Sequence, residues 1–205
     1  MTPQRPQRSV LDGPVSSLIS PRDTPSVPRI MSPDTIFVSP LSLVETTIED
    51  AQVSHLVTLI NGETLVPTPP SIPPDRHLRL DMNDICEPIM GLVLPCEEHV
   101  ADLVQFALDW DRRAPLLIHC WAGISRSTAA AFISLCALNP DADELGLARA
   151  LREASTTAYP NRRLVALGDE VLSRQGRMIA AVERIGRGAI AEEGQVFGLS
   201  ARNAA

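Results

Sequence analysis

An apolar run, Ala114-Pro115-Leu116-Leu117-Ile118, leads directly into His119-Cys120-Trp121-Ala122-Gly123-Ile124-Ser125-Arg126-Ser127, and a small-residue apolar stretch continues to Leu138. The first run reads as a buried strand and the last as a helix, so the segment between them is a strand-to-helix turn. Gly123 permits the tight curvature that such a turn requires. Backbone N–H groups converging at the positive end of the following helix form a nest for an anion. Cys120 opens the turn and Arg126 closes it, with five mostly small residues between them.

That spacing has a chemical reading. A free cysteine is mostly a neutral thiol at neutral pH, whereas its thiolate is the nucleophile. The loop amides, the helix dipole and the permanent charge of Arg126 all favour the thiolate. Arginine suits the closing position because its planar fork can hold two oxygens of one tetrahedral oxyanion. Ser127 is placed to donate a hydroxyl to the sulfur, and His119 to order the loop from behind. The competing reading, a buried inert core cysteine at a chance distance from an arginine, does not account for the His, Gly and Ser that accompany the pair.

The rest of the chain bounds this reading. At 205 residues it is long enough for one domain with a substantial core. The formal net charge of −7 argues against nucleic acid as a partner. Every cationic side chain is arginine, which we read as compositional bias. Four cysteines, Cys86, Cys96, Cys120 and Cys136, make neither a disulfide scaffold nor a paired zinc spacing, so no metal and no cofactor is expected. Prolines interrupt the first residues where a signal peptide needs an apolar core, and no run approaches a membrane span. A cytoplasmic, reduced, membrane-free protein is the expectation.

Residues 1–34 are rich in Pro, Ser, Arg and Gln and are expected to be a mobile tail. Short strands are expected at Thr35–Ser39, His55–Ile60, His77–Met82 and Leu116–Ile118. Helices are expected at Leu41–Ala51, Glu97–Arg113, Ser127–Leu138, from Asp141 to about Glu153, Asn161–Leu172 and about Gln175–Ile185. The proline-dense stretch Val66–Asp75 reads as a rigid loop. Alternating strands and helices predict an α/β domain over 35–190, with a central, mostly parallel sheet of four to five strands flanked by helices. Residues 191–205 are left as a C-terminal tail.

Leu117-Ile118-His119-Cys120-Trp121-Ala122-Gly123-Ile124-Ser125-Arg126-Ser127 resembles the signature loop of cysteine-dependent protein tyrosine phosphatases, specifically the dual-specificity-like branch of bacterial type. Tyr159-Pro160-Asn161 followed by Leu164 resembles that branch's Pro-Asn element, and the likeness extends over roughly Ile36–Leu172. The resemblance implies a dual-specificity-phosphatase-like fold and a metal-free, two-step reaction through a cysteinyl-phosphate. In it Cys120 is the nucleophile, Arg126 binds substrate and stabilises charge, and Ser127 assists the sulfur. Residues Trp121, Ala122, Gly123, Ile124 and Ser125 line the phosphate site, and His119 and Asn161 support it.

A general acid is expected upstream, from Asp81 or Asp84. Asp81 falls on the strand beside Arg79, whereas Asp84 lies beyond it on a loop, so Asp84 is favoured. The interior of the loop lacks lysine, which favours a phosphoprotein or phosphopeptide, phosphotyrosine above all, over a polyphosphorylated lipid. Trp121 either lines the pocket or packs beneath the loop. The alternatives are a catalytically weak phosphate-binding module, or a sulfurtransferase or arsenate reductase with a related cysteine loop. His55 and His77 are expected to be structural, Cys136 to be core, and Cys86 to be near enough to the loop for a reversible disulfide to be considered. Arg112-Arg113 and Arg162-Arg163 read as surface charges, the second pair near the pocket.

Overall fold

Four short segments rich in β-branched and apolar residues form strands: β1 (Thr35–Pro40), β2 (His55–Leu59), β3 (His77–Leu80) and β4 (Leu116–Cys120). A computed structural model describes residues 32–64 and 66–202 of the chain. The helices are α1 (Val44–Ala51), α2 (Glu97–Asp109), α3 (Arg126–Leu138), α4 (Glu144–Ala154), α5 (Arg162–Val171) and α6 (Arg177–Ile185). A final strand, β5 (Phe197–Ser200), completes a five-stranded sheet in the order β3-β2-β4-β1-β5. The first four strands are mutually parallel, and β5 runs antiparallel to β1 along the sheet edge. This is the expected α/β architecture, a mostly parallel sheet flanked by helices.

Strand alternation gives the sheet two different faces. Ile36, Val38, Val57, Leu59, Leu116, Ile118 and Cys120 face a large core shared with α2, α3, α5 and α6. Phe37, Leu56 and Leu117 face a smaller core closed by Val44 and Ile48 of α1 and by Ile72 of the proline-rich loop. Burying a side chain of this size contributes about 1.5–3 kcal/mol, so the double-faced central strand β4 is the most heavily anchored strand. Helix α3 is buried along nearly its whole length, as its small apolar sequence requires.

Boundaries shift where local chemistry intervenes. Leu41–Leu43 form a 3-10 turn before α1, and β3 stops at Leu80, short of Met82. Helix α2 ends at Asp109 because Trp110 turns extended, with its indole N–H donating to Ala114 O at 2.9 Å. Asp143 caps α4 by accepting from Gly146 N at 2.9 Å, so that helix starts after the acidic pair. The proline-rich loop includes a 3-10 turn at Pro74–Arg76.

The expected C-terminal tail at 191–205 needs correction. Residues 197–200 are β5, which the short alternation Phe197-Gly198-Leu199-Ser200 announces weakly, since Gly198 has no side chain. The expected tail at 1–34 lies outside the described residues up to position 31. Asp34 itself is buried and pairs with Arg202 at 2.9 Å. Among the described residues, no helix is long and apolar enough to cross a membrane.

Candidate active site

Parallel strands end on the same edge of a sheet, and loops there converge beside the central strand. Cys120 is the last residue of β4, between β1 and β2 in the sheet, and Arg126 is the first residue of α3. The loop between them is held by its carbonyls. Trp121 O accepts from Leu41 N at 3.1 Å, Ala122 O from Gly194 N at 2.8 Å, Ile124 O from Tyr159 N at 2.9 Å and Ser125 O from Asn161 N at 3.3 Å. The single hydroxyl proton of Thr128 is shared between Ile124 O and Ser125 O, both within hydrogen-bond reach of Oγ1. With its acceptors taken up by the scaffold, the loop leaves its amides from Ala122 to Ser125 without a protein acceptor among the described residues. Gly123 has φ +69°, and a Cβ there would lie 2.7 Å from Pro40 N.

The Cys120 side chain is buried, with Sγ 3.1 Å from Ser127 Oγ. Arg126 is buried as well and donates from Nη1 to Met82 O at 2.9 Å. Its Nε lies 3.9 Å from Asp84 Oδ2, too far for a hydrogen bond, and has no other partner. A buried cation at a helix N-terminus opposes the local dipole, an arrangement that an anion in the cradle would relieve. Asp84 Oδ1 accepts from Ser125 Oγ at 2.7 Å and from Asn161 Nδ2 at 2.8 Å. Asn161 in turn caps α5 through its Oδ1, which accepts from Leu164 N at 3.0 Å.

The loop carrying Asp84 is cinched. Asn83 N donates to Val93 O and Val93 N to Asn83 Oδ1, both at 2.8 Å, while Arg163 Nε donates to Pro95 O at 2.6 Å. Arg163 is thus a strut of this loop, while Arg162 stays exposed. Asp81 is directed elsewhere, accepting from Gly62 N at 2.5 Å. Trp121 is 48% exposed, in a surface cavity with Leu41, Ser42, Glu192 and Glu193, and does not pack beneath the loop.

His119 is fully buried behind the loop, its Nε2 2.6 Å from Thr58 Oγ1. Burial is the main cause that holds it near a pKa of about 4, with Arg126 and His77 acting in the same direction and the Cys120 backbone against it. His77 is likewise lowered to about 4, chiefly by burial and then by Arg79, and His55 is lowered by burial. Cys136 is core, its thiol pushed up to about 12 by burial. All four cysteines are free, and Cys86 Sγ points at Asn161 Oδ1 at 3.9 Å. No group of three or more His, Cys, Asp or Glu side chains able to hold a metal occurs among the described residues.

The structure thus brings Cys120, Arg126, Ser127, Ser125, Asp84 and Asn161 together and separates Asp81 from them. Sequence reasoning missed the carbonyl of Met82, the amide of Gly194 and Thr58. Only Thr58 left a signal, as a polar residue inside an apolar strand.

No protein-family model matches the chain, and no curated protein matches it either. Solved structures do. The crystal structure of DUSP15 covers 80% of this chain and 97% of its own at 18% identity, with a TM-score of 0.52. A Cydia pomonella PTP-2 phosphatase matches over 66% of this chain and 84% of its own, at 19% identity and a TM-score of 0.53. PTPMT1 in complex with PI(5)P matches over 76% and 98%, at 16% identity and a TM-score of 0.54. What the chain shares with these proteins is their fold, the α/β fold of the protein tyrosine and dual-specificity phosphatases.

Proposed function

We propose that this protein is a cysteine-dependent phosphomonoester hydrolase of the dual-specificity-like, bacterial-type branch, acting on phosphoproteins or phosphopeptides with a preference for phosphotyrosine. The observation that carries the reading is the meeting of three groups at one strand end. Cys120 Sγ contacts the Ser127 hydroxyl, the Arg126 guanidinium stands at the same helix N-terminus, and the Asp84 carboxyl is bonded to the loop's Ser125.

In the first step the Cys120 thiolate attacks phosphorus opposite the ester oxygen. The S–P bond forms, the P–O bond breaks, and Asp84 gives its proton to the departing oxygen. Arg126 and the amides of Ala122 to Ser125 hold the equatorial oxygens as their charge grows. In the second step water attacks the cysteinyl-phosphate, Asp84 takes a proton from it, and the S–P bond breaks. The Ser127 hydroxyl then donates to the sulfur that leaves as thiolate. Asn161 and Ser125 keep the Asp84 carboxyl at the rim. The neutral interior of the loop supports a single phosphate ester as substrate, and the exposed Trp121 offers a flat apolar surface for its aryl ring.

The test is turnover of a phosphotyrosine peptide without added metal. Cys120→Ser is expected to reduce hydrolysis to background and Asp84→Asn to lower kcat by about 10²-fold or more, the usual scale of a general acid. Wild-type protein with no turnover, yet with phosphate bound at the loop, would leave a phosphate-binding module as the function.

A further inference from the structure

A row of polar side chains crosses the smaller face of the sheet at the level of His119. The register sets Ser39 of β1, His119 of β4, Thr58 of β2 and Arg79 of β3 side by side, one from each parallel strand. His119, Thr58 and the neighbouring His77 are buried. Thr58 Oγ1 lies 2.6 Å from His119 Nε2 and 2.8 Å from His77 Nε2. His77 Nδ1 lies 3.0 Å from Thr68 Oγ1. Arg79 Nη2 donates to that same Thr68 oxygen at 2.6 Å, and its Nε donates to Val66 O at 3.3 Å.

Counting protons gives this chain a direction. A threonine hydroxyl has one proton, so of the two ring nitrogens on Thr58 Oγ1 one accepts and the other donates. Arginine only donates, so Thr68 Oγ1 is an acceptor towards Arg79 and its own proton is free for His77 Nδ1. Neutral His77 then carries its proton on Nε2 and donates it to Thr58. The Thr58 proton goes to His119 Nε2, which leaves the proton of His119 on Nδ1. Every bond now points the same way, and aligned hydrogen bonds polarise one another. The reverse direction would aim two donors at Thr68 and give its proton no acceptor within the chain. Neutral rings are what burial of His77 and His119 favours.

We propose that Thr58 and His77 are positioning residues: with Thr68 and Arg79 they form a one-way hydrogen-bond relay that holds His119 with its proton on Nδ1 and thereby fixes the start of the Cys120 loop. His119 Nδ1 has no protein partner of full hydrogen-bond geometry among the described residues, while the Cys120 backbone acts on the ring. A ring whose tautomer is set from behind keeps its N–H available to the segment that carries the nucleophile. The relay passes through Thr68 of the proline-rich loop, so that loop and the cysteine loop share one network although no backbone segment joins them directly.

The consequence for Cys120 rests on the phosphatase reading, but neither measurement below needs turnover. In the full chain with nitrogen-15 histidine, the shifts near pH 7 should report a protonated Nδ1 and a bare Nε2 for His119, and the opposite pair for His77. A His119 protonated on Nε2 would overturn the relay. Alkylation of Cys120 by iodoacetamide against pH, followed on the peptide that contains it because the exposed Cys86 reacts as well, gives the second readout. Thr58→Val should move the Cys120 profile upward by about one pH unit, the size of one lost hydrogen bond, and Thr58→Ser should restore it. A folded Thr58→Val protein with an unmoved profile would sink the proposal. Should Thr58→Val fail to fold, Arg79→Met removes only the exposed first donor. It is expected to mix the two His119 tautomers, and an unchanged single tautomer would refute the relay's direction.

Discussion

At Gly123 the backbone adopts φ +69°, and a methyl group in place of hydrogen would press on Pro40 N, with no flexible side chain there to give way. Gly123→Ala is expected to cost about 1–3 kcal/mol in urea unfolding, through backbone strain and the clash together. It should reduce phosphatase turnover further than stability alone accounts for, because the cradle amides would splay. Turnover equal to wild type would show that the curvature is not needed. Gly123, Cys120, Arg126 and Ser127 were legible because the chemistry and the turn occupy one short stretch of chain. Asp84 was legible only as one of two carboxyls. What separates it from Asp81 is a contact with Asn161, far along the chain, set against a contact with Gly62. Thr58 and the Gly194 amide act across strands and loops that no local pattern relates to the cysteine.

Helix α3 joins the site to the rest of the molecule, and its two ends are finished by different arginines. At the N-terminus Arg126 opposes the dipole in the service of the site. At the C-terminus Arg174 Nη2 donates to Cys136 O at 2.6 Å and Nη1 to Pro140 O at 2.7 Å, satisfying carbonyls at the negative end. Arg174 is also paired with the buried Glu144 at 3.1 Å, and Glu144 reaches Arg177 as well. Removing Arg174 leaves buried Glu144 with only the half-exposed Arg177 and takes the donor from the Cys136 and Pro140 carbonyls, so Arg174→Met should destabilise by about 2–4 kcal/mol in urea unfolding. Whatever fraction remains folded should bind phosphate as before, since the change lies at the far end of the helix. Lost phosphate binding in the folded fraction would mean that the two ends are coupled. The helix itself was plain from its composition, whereas Arg174 looked like any surface charge. Strand β5 was missed for a related reason, because an edge strand of four residues is defined by its pairing with β1 and hardly by its own sequence.

Across the whole molecule the buried imidazoles set the response to acid. His119 and His77, at about 4 in the folded protein against 6.5 in an unfolded chain, take up protons more readily once unfolded. Stability is therefore complete above pH 6.5 and falls as the pH drops toward 4, by on the order of 3 kcal/mol from His119 alone. Urea unfolding between pH 7 and 4.5 should show a slope equivalent to ~2 protons bound on unfolding near pH 5 from these two rings, and a flat profile would contradict their burial. The exposed indole of Trp121 has a further consequence. The chain has two tryptophans, and Trp110 is buried with its N–H bonded, so the pair divides the intrinsic fluorescence between fold and site. A water-soluble quencher should silence the red-shifted emission of Trp121 and leave that of Trp110. The molecule thus carries an optical probe of the Cys120 loop in the residue that follows Cys120, with an internal reference for folding, and needs no label.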